Sequence, residues 1–139
     1  MFYQNKQTKE LLTRQEMLKQ WRELYDGNDE TNLLGINEYY LEVFTSFEDL
    51  GQVVQTRGLY SAVEHNPEAM REVVEAFNKY KAMEWGDLTD SDKELNDRAI
   101  KYNDDRVLAK YHIKSLNRDI YIITERDRSY TTLLFCNEY

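Results

Sequence analysis

From Arg106 to Ile113 the apolar residues fall on every second position: Val107, Ala109, Tyr111 and Ile113. Before that point they recur at every third or fourth. A strand puts alternate residues on one face, and a helix puts residues three and four apart on one face. A chain that changes period near Arg106 is therefore constrained to helices first and strands afterwards. Two more strand-like runs follow, Asp119 to Glu125 and Tyr130 to Phe135. Their connections are short, which favours an antiparallel meander. Helices and strands in separate blocks place the chain in the α+β class. The expected architecture is about four helices plus a C-terminal three-stranded antiparallel β-meander, with a small N-terminal hairpin from Phe2-Tyr3-Gln4 and Glu10-Leu11-Leu12.

The helices announce themselves by their starts. Thr13-Arg14-Gln15-Glu16 is a capping box, and Met17, Leu18, Trp21, Leu24 and Tyr25 follow on one stripe. A second helix is expected from about Leu33 to Phe44, with Glu38 and Glu42 four apart on one of its faces. Gly51-Gln52-Val53-Val54 reads as a short strand or extended entry. Thr56 caps a short helix through Val63. Asn66-Pro67 starts another, with Met70, Val73, Val74, Phe77 and Tyr80 inward. Thr89 or Asp90 caps a last helix through about Tyr102, with Leu95, Ala99 and Tyr102 inward. No repeat or linker interrupts residues 1–139, so one domain is expected, in which residues 1–49 precede a family-like part at 50–139.

The chain carries 18 basic and 26 acidic side chains, for a net charge of −8. Direct non-specific nucleic-acid binding is not expected, because phosphate contacts need clustered Lys and Arg. The excess is concentrated. Residues 26–50 hold Asp26, Asp29, Glu30, Glu38, Glu42, Glu48 and Asp49, with no Lys or Arg. No apolar run approaches the ~20 residues of a membrane span. MFYQNKQTKE has no apolar core of a signal peptide. Cys136 is the single cysteine. These features point to a reduced, cytoplasmic setting.

Few residues suggest chemistry. His65 precedes a helix start, and His112 lies on a solvated strand face with Arg106, Leu108 and Lys110. Neither has triad or metal-ligand spacing. Asp87, Asp90, Asp92 and Glu94 lack the glycine and the spacing of a calcium loop and suit the first turn of a helix instead. No phosphate loop or nucleophile elbow occurs. No cofactor or metal is expected, and no catalysis. The run Glu125-Arg126-Asp127-Arg128-Ser129 joins the last two strands and admits two readings. One is a solvated turn. The other is a recognition loop that presents Arg126 and Arg128. Eleven tyrosines add a further possibility, since surface Tyr suits binding patches.

Four stretches carry a family resemblance: Leu50-Gly51-Gln52-Val53-Val54, Trp85-Gly86-Asp87-Leu88, Arg106 to Tyr111, and IYIITE-x-DRS-x-TT at 120–132 with the terminal Glu138-Tyr139. Over residues 50–139 the chain resembles a family of small uncharacterised proteins of plasmids, phages and conjugative elements. That family ends in a Leu-Leu-Pro-type run where this chain has Phe135-Cys136-Asn137. The resemblance implies a context and no site residue. Small acidic proteins of mobile elements often counter host defence, as anti-CRISPR and anti-restriction proteins do. The expected function is inhibition of a host nuclease, with Asp26, Asp29, Glu30, Glu38 and Glu42 facing its basic nucleic-acid groove and Arg126 and Arg128 as further contacts. Two alternatives stay open. One is a regulatory or scaffold protein that binds through Tyr and helix faces. The other is a small enzyme built on His112 and the 125–129 loop.

Overall fold

A computed structural model describes residues 1–25 and 33–139 of the chain. These residues form two compact units, Met1–Thr45 and Ser46–Tyr139.

In the first unit the capping box forms as its residue types require. The Thr13 N–H donates to Glu16 Oε1 at 2.9 Å, and the Glu16 N–H donates to Thr13 Oγ1 at 3.3 Å. Helix α1 (Arg14–Tyr25) starts there and buries Met17, Leu18 and Trp21. Strands β1 (Phe2–Asn5) and β2 (Leu11–Leu12) make the hairpin. Asn5 is fully buried and uses all its bonding capacity at the turn. Its Oδ1 accepts from the N–H groups of Gln7 and Thr8, and its Nδ2 donates to Gln20 and to the Tyr25 hydroxyl. Tyr3, Leu12, Met17, Leu18, Trp21, Ile36 and Tyr40 close the core.

The expected helix over 33–44 is corrected. Helix α2 ends at Tyr39 (Leu33–Tyr39), and Tyr40–Val43 become strand β3, antiparallel to β1 on the side away from β2. The run Tyr40-Leu41-Glu42-Val43 is rich in strand formers, and pairing with all four residues of β1 outweighs helix continuation. Glu38 and Glu42 therefore share no helix face.

In the second unit, β4 (Gln52–Gln55), β5 (Val107–Ile113), β6 (Arg118–Thr124) and β7 (Tyr130–Phe135) form one sheet in the order β4-β7-β6-β5. The pairs β5–β6 and β6–β7 are antiparallel, and β4–β7 is parallel. Helices α3 (Arg57–Val63), α4 (Pro67–Lys81) and α5 (Asp90–Tyr102) accompany it. The class is α+β, but the expected four helices and single three-stranded meander are corrected to five helices and seven strands in two sheets, among the described residues. The missed pairings, β1–β3 and β4–β7, both join segments far apart in the chain, where no turn signal marks the partner. No helix among the described residues is long and apolar enough to cross a membrane.

One face of the larger sheet is buried by alternation: Val107, Ala109, Tyr111, Ile113, Ile120, Ile122, Leu133 and Phe135. A line of buried hydroxyls crosses it. Thr131 Oγ1 donates to the Leu50 carbonyl at 2.6 Å, Thr124 Oγ1 lies 2.8 Å from Thr131, and the Tyr80 hydroxyl lies 2.6 Å from Thr124. Each hydroxyl has one proton. With that of Thr131 committed to Leu50, Thr124 donates to Thr131, and the single Tyr80 proton is shared between Thr124 at 2.6 Å and the Val107 carbonyl at 3.3 Å. The line ties α4, β6, β7 and the entry to β4 together.

The helix starts at Asn66-Pro67 and Thr89 form with side-chain caps to Ala69 and Asp92. Their expected inward faces are corrected in part. Met70 and Val74 of α4 are 39% and 49% exposed, and the smaller Ala69 and Ala76 take the inner positions beside Val73 and Tyr80. In α5, Leu95 and Tyr102 are 59% and 46% exposed, while Glu94, Asn96 and Asp97 are buried. Hydrogen bonding sets this rotation. Asn96 Nδ2 donates to the Leu108 carbonyl at 2.8 Å and Asn96 Oδ1 accepts the Leu108 N–H at 3.1 Å. Asp97 Oδ1 accepts from the Trp85 indole at 2.9 Å. Turning Leu95 inward would break all three bonds and leave buried polar groups unmatched.

Candidate partner-binding surfaces

The 125–129 turn is built around Arg128. The Glu125 N–H bonds to the Tyr130 carbonyl, and the Arg128 N–H bonds to the Glu125 carbonyl, each at 2.9 Å. Closing so tight a turn puts Arg128 at φ +62°, in the left-handed region. Its side chain then runs inward. Nη1 donates to the carbonyls of Asp105 at 2.8 Å and Glu125 at 3.1 Å, and Nη2 donates to the carbonyl of Ala99 at 3.0 Å. The Ala99 carbonyl belongs to the last turn of α5, where unmatched carbonyls and the helix dipole favour a cation. Arg128 is 8% exposed. The expectation that it is a solvent-exposed turn residue, or a guanidinium presented to a partner, is corrected: it is a clamp between the turn and α5. Glu125, Arg126, Asp127 and Ser129 are exposed. With Asn103 they line an open depression of about 740 Å³. Arg126 is thus the guanidinium that this turn offers outward.

Asp127 is held locally. Its Oδ1 accepts the Ser129 N–H at 2.9 Å and the Ser129 hydroxyl. The hydroxyl first, and then the backbone N–H, hold the Asp127 carboxyl below its usual range. A carboxyl with a depressed folded pKa stabilises the fold above its unfolded value of about 3.9, and that contribution is lost as pH falls through the folded value. A carboxyl titration followed by NMR is expected to put Asp127 below the ordinary Asp range in the wild type and to move it upward in Ser129→Ala. An unmoved titration in the variant would mean that Ser129 is not the cause.

The acid-rich segment is described in part. Asp26, Asp29 and Glu30 lie outside the described residues. Glu38, in the last turn of α2, and Glu42, on β3 opposite Tyr3, are both exposed. Glu48 and Asp49, at the start of the second unit, are exposed as well.

His112 faces solvent on β5, with Nδ1 2.8 Å from Asp119 Oδ1. Lys110 Nζ lies 3.7 Å from Asp119 Oδ2. The β5–β6 register pairs His112 with Asp119 at one end and Val107 with Thr124 at the other. Five residue steps at ~3.4 Å separate those pairs by roughly 17 Å. His112 and the 125–129 turn therefore sit at opposite ends of the hairpin and do not form one site. His65 is also exposed, 3.8 Å from Glu64. The Cys136 thiol is half-buried, and burial first, then the nearby Asp119 carboxylate, push its pKa up, which disfavours the nucleophilic thiolate. No group of three His, Cys, Asp or Glu residues among those described is placed to hold a metal ion.

The stretches behind the family resemblance serve as joints of the second unit. Gly51, at φ +61°, passes under the Arg128 and Ser129 carbonyls. Gly86, at φ +70°, passes against the Lys110 carbonyl. Glu138 accepts from the Phe135 N–H at 2.8 Å and from the Thr56 hydroxyl at 2.9 Å. Sequence reasoning missed the Arg128 clamp and the outward Leu95 and Tyr102. The one local hint for the first was a large residue at the close of a two-strand connection, where the left-handed region is common. Compared with known proteins, the chain matches no family model, no curated protein and no solved structure.

Proposed function

We propose that this chain is a protein-binding inhibitor carried on mobile elements, which acts in the bacterial cytoplasm by docking an acidic surface onto the basic nucleic-acid-binding groove of a host defence nuclease. The supporting observation is that Glu38 and Glu42 are both exposed, in a segment, residues 26–50, that contains no Lys or Arg. One ammonium comes near: Lys6 Nζ donates to the Asn37 carbonyl at 2.5 Å. Residues 1–45 nonetheless hold eight acidic and five basic side chains. Clustered carboxylates attract a cationic groove over about a Debye length, ~8 Å at physiological salt, and act mainly on the rate of encounter. The role is binding rather than catalysis, with Arg126 as a further contact.

The test begins with affinity capture from a lysate that contains restriction and CRISPR nucleases. Glu30→Lys, Glu38→Lys and Glu42→Lys are then combined, and folding is checked by circular dichroism. Association with the captured nuclease is expected to slow by about tenfold or more at low salt, with a shallower dependence on salt. Unchanged affinity and an unchanged salt slope would remove this surface from the mechanism.

A second reading, a regulatory or scaffold protein with no role in defence, has its own support. Leu95 and Tyr102 share a face of α5, three-plus-four residues apart, and both are exposed. If Leu95→Glu with Tyr102→Glu abolishes capture while the three charge reversals do not, this reading replaces the first.

A further inference from the structure

The larger sheet closes one edge and leaves the other open. On the β5 side, the Asn96 side chain occupies both backbone groups of Leu108, and the Asp87 N–H donates to the Lys110 carbonyl at 2.8 Å. On the β4 side, Gln52 donates to the Ser129 carbonyl at 2.9 Å and Thr56 to the Leu133 carbonyl at 3.1 Å. Backbone groups of successive strand residues point to opposite sides. The even positions therefore face β7, and the N–H and C=O of Val53 and Gln55 face outward. No group among the described residues bonds to them. Gln52, Val53 and Gln55 are exposed and Val54 is half-buried. Soluble proteins blunt such edges with charge, proline or a bulge. Gln52-Val53-Val54-Gln55 carries no charge and no proline, in a chain whose net charge is −8.

We propose that β4 pairs antiparallel with β4 of a second copy of this chain, centred on Val54, so that two four-stranded sheets become one of eight strands. The occupant follows from self-complementarity. In this register Val53 of each copy lies opposite Gln55 of the other. Each such pair exchanges two hydrogen bonds, so every outward N–H and C=O of the two strands is matched. The side chains agree. Val54, Thr132, Ile123 and Leu108 form one row across the sheet, and the twofold axis sets Val54 beside its copy and continues the row into the partner. The charges agree as well. Glu48 and Asp49 precede the strand and Arg57 follows it, and all three are exposed. Antiparallel pairing sets the acidic flank of one copy beside the basic flank of the other, whereas parallel pairing would oppose like charges. Four residues make a small interface, so the dimer is transient and depends on concentration. This inference is independent of the acidic docking surface.

The test uses the full chain with Cys136→Ser. Val54→Cys is expected to form a disulfide-linked dimer under mild oxidation, because directly opposed residues of a non-hydrogen-bonded pair lie ~4.5 Å apart at Cα, within disulfide range. Gln52→Cys is the register control. Its nearest counterpart is four residue steps away, roughly 14 Å, and it should stay unlinked. Adding Val53→Pro removes an outward N–H that makes no bond to β7, which an edge strand tolerates. It should abolish the Val54→Cys cross-link and leave the far-ultraviolet circular dichroism unchanged. Sedimentation of the wild type should show a mass that rises with concentration. Equal linking of Val54→Cys and Gln52→Cys would overturn the register. A chain that stays monomeric at its highest soluble concentration, with no Val54→Cys link, would overturn the second-copy occupant and leave the edge to an extended segment of a different protein.

Discussion

Arg128→Ala is expected to lower the free energy of unfolding by about 3–5 kcal/mol, the range for removing one partner of a buried, charge-assisted set. The carbonyls of Ala99 and Asp105 lose their guanidinium donor, and that of Glu125 keeps only the backbone N–H of residue 128. Alanine also keeps the left-handed backbone at φ +62° that the arginine occupies, so no strain is relieved in compensation. Arg128→Lys should recover only part of the loss, because an ammonium on a flexible stem does not reproduce the planar fork of a guanidinium. Arg126→Ala, two residues away and exposed, should stay within about 0.5 kcal/mol of wild type. Chemical denaturation of the three variants measures this. Equal stability of Arg128→Ala and Arg126→Ala would return the whole turn to the solvated reading.

The second large effect is expected at Gly51. A Cβ there would lie 2.2 Å from the Arg128 carbonyl oxygen and 2.3 Å from that of Ser129, on a backbone at φ +61°. Both obstacles are main chain and cannot rotate aside. Left-handed strain in a non-glycine residue costs about 1–3 kcal/mol, and forced overpacking a similar amount. Gly51→Ala should therefore destabilise by about 2–5 kcal/mol. The neighbouring bonds, Thr131 to the Leu50 carbonyl and Gln52 to the Ser129 carbonyl, hold β4 on β7, and hydrogen exchange should show that pairing loosening first. Because Gly51 and Arg128 meet at one carbonyl, the double variant should lose less than the two single losses combined. Strict additivity would mean that the turn and the β4 entry are energetically separate.

What could be read from the sequence was what neighbours in the chain satisfy. Thr13 with Glu16, Asn66 with Pro67, Thr56 and Thr89 each cap a helix within three residues. The alternation from Val107 to Ile113 repeats every second residue. These signals specify where elements start and which period they follow, because their hydrogen bonds and faces close locally. The acidic bias of residues 26–50 is likewise a property of sequence alone. Tertiary structure decided the rest through partners distant along the chain. Tyr40–Val43 became a strand because β1 offered an edge. Gln52–Gln55 became a parallel strand because β7 lay free beside it. Asn96 and Asp97 turned inward in α5, and Leu95 outward, because Leu108 and Trp85 supplied matched polar groups. Arg128, one of four charges in a run of five polar residues, was buried because the end of α5 brought carbonyls to its guanidinium. A side chain's type states which bonds it can make, whereas only the assembled fold brings the groups that complete them.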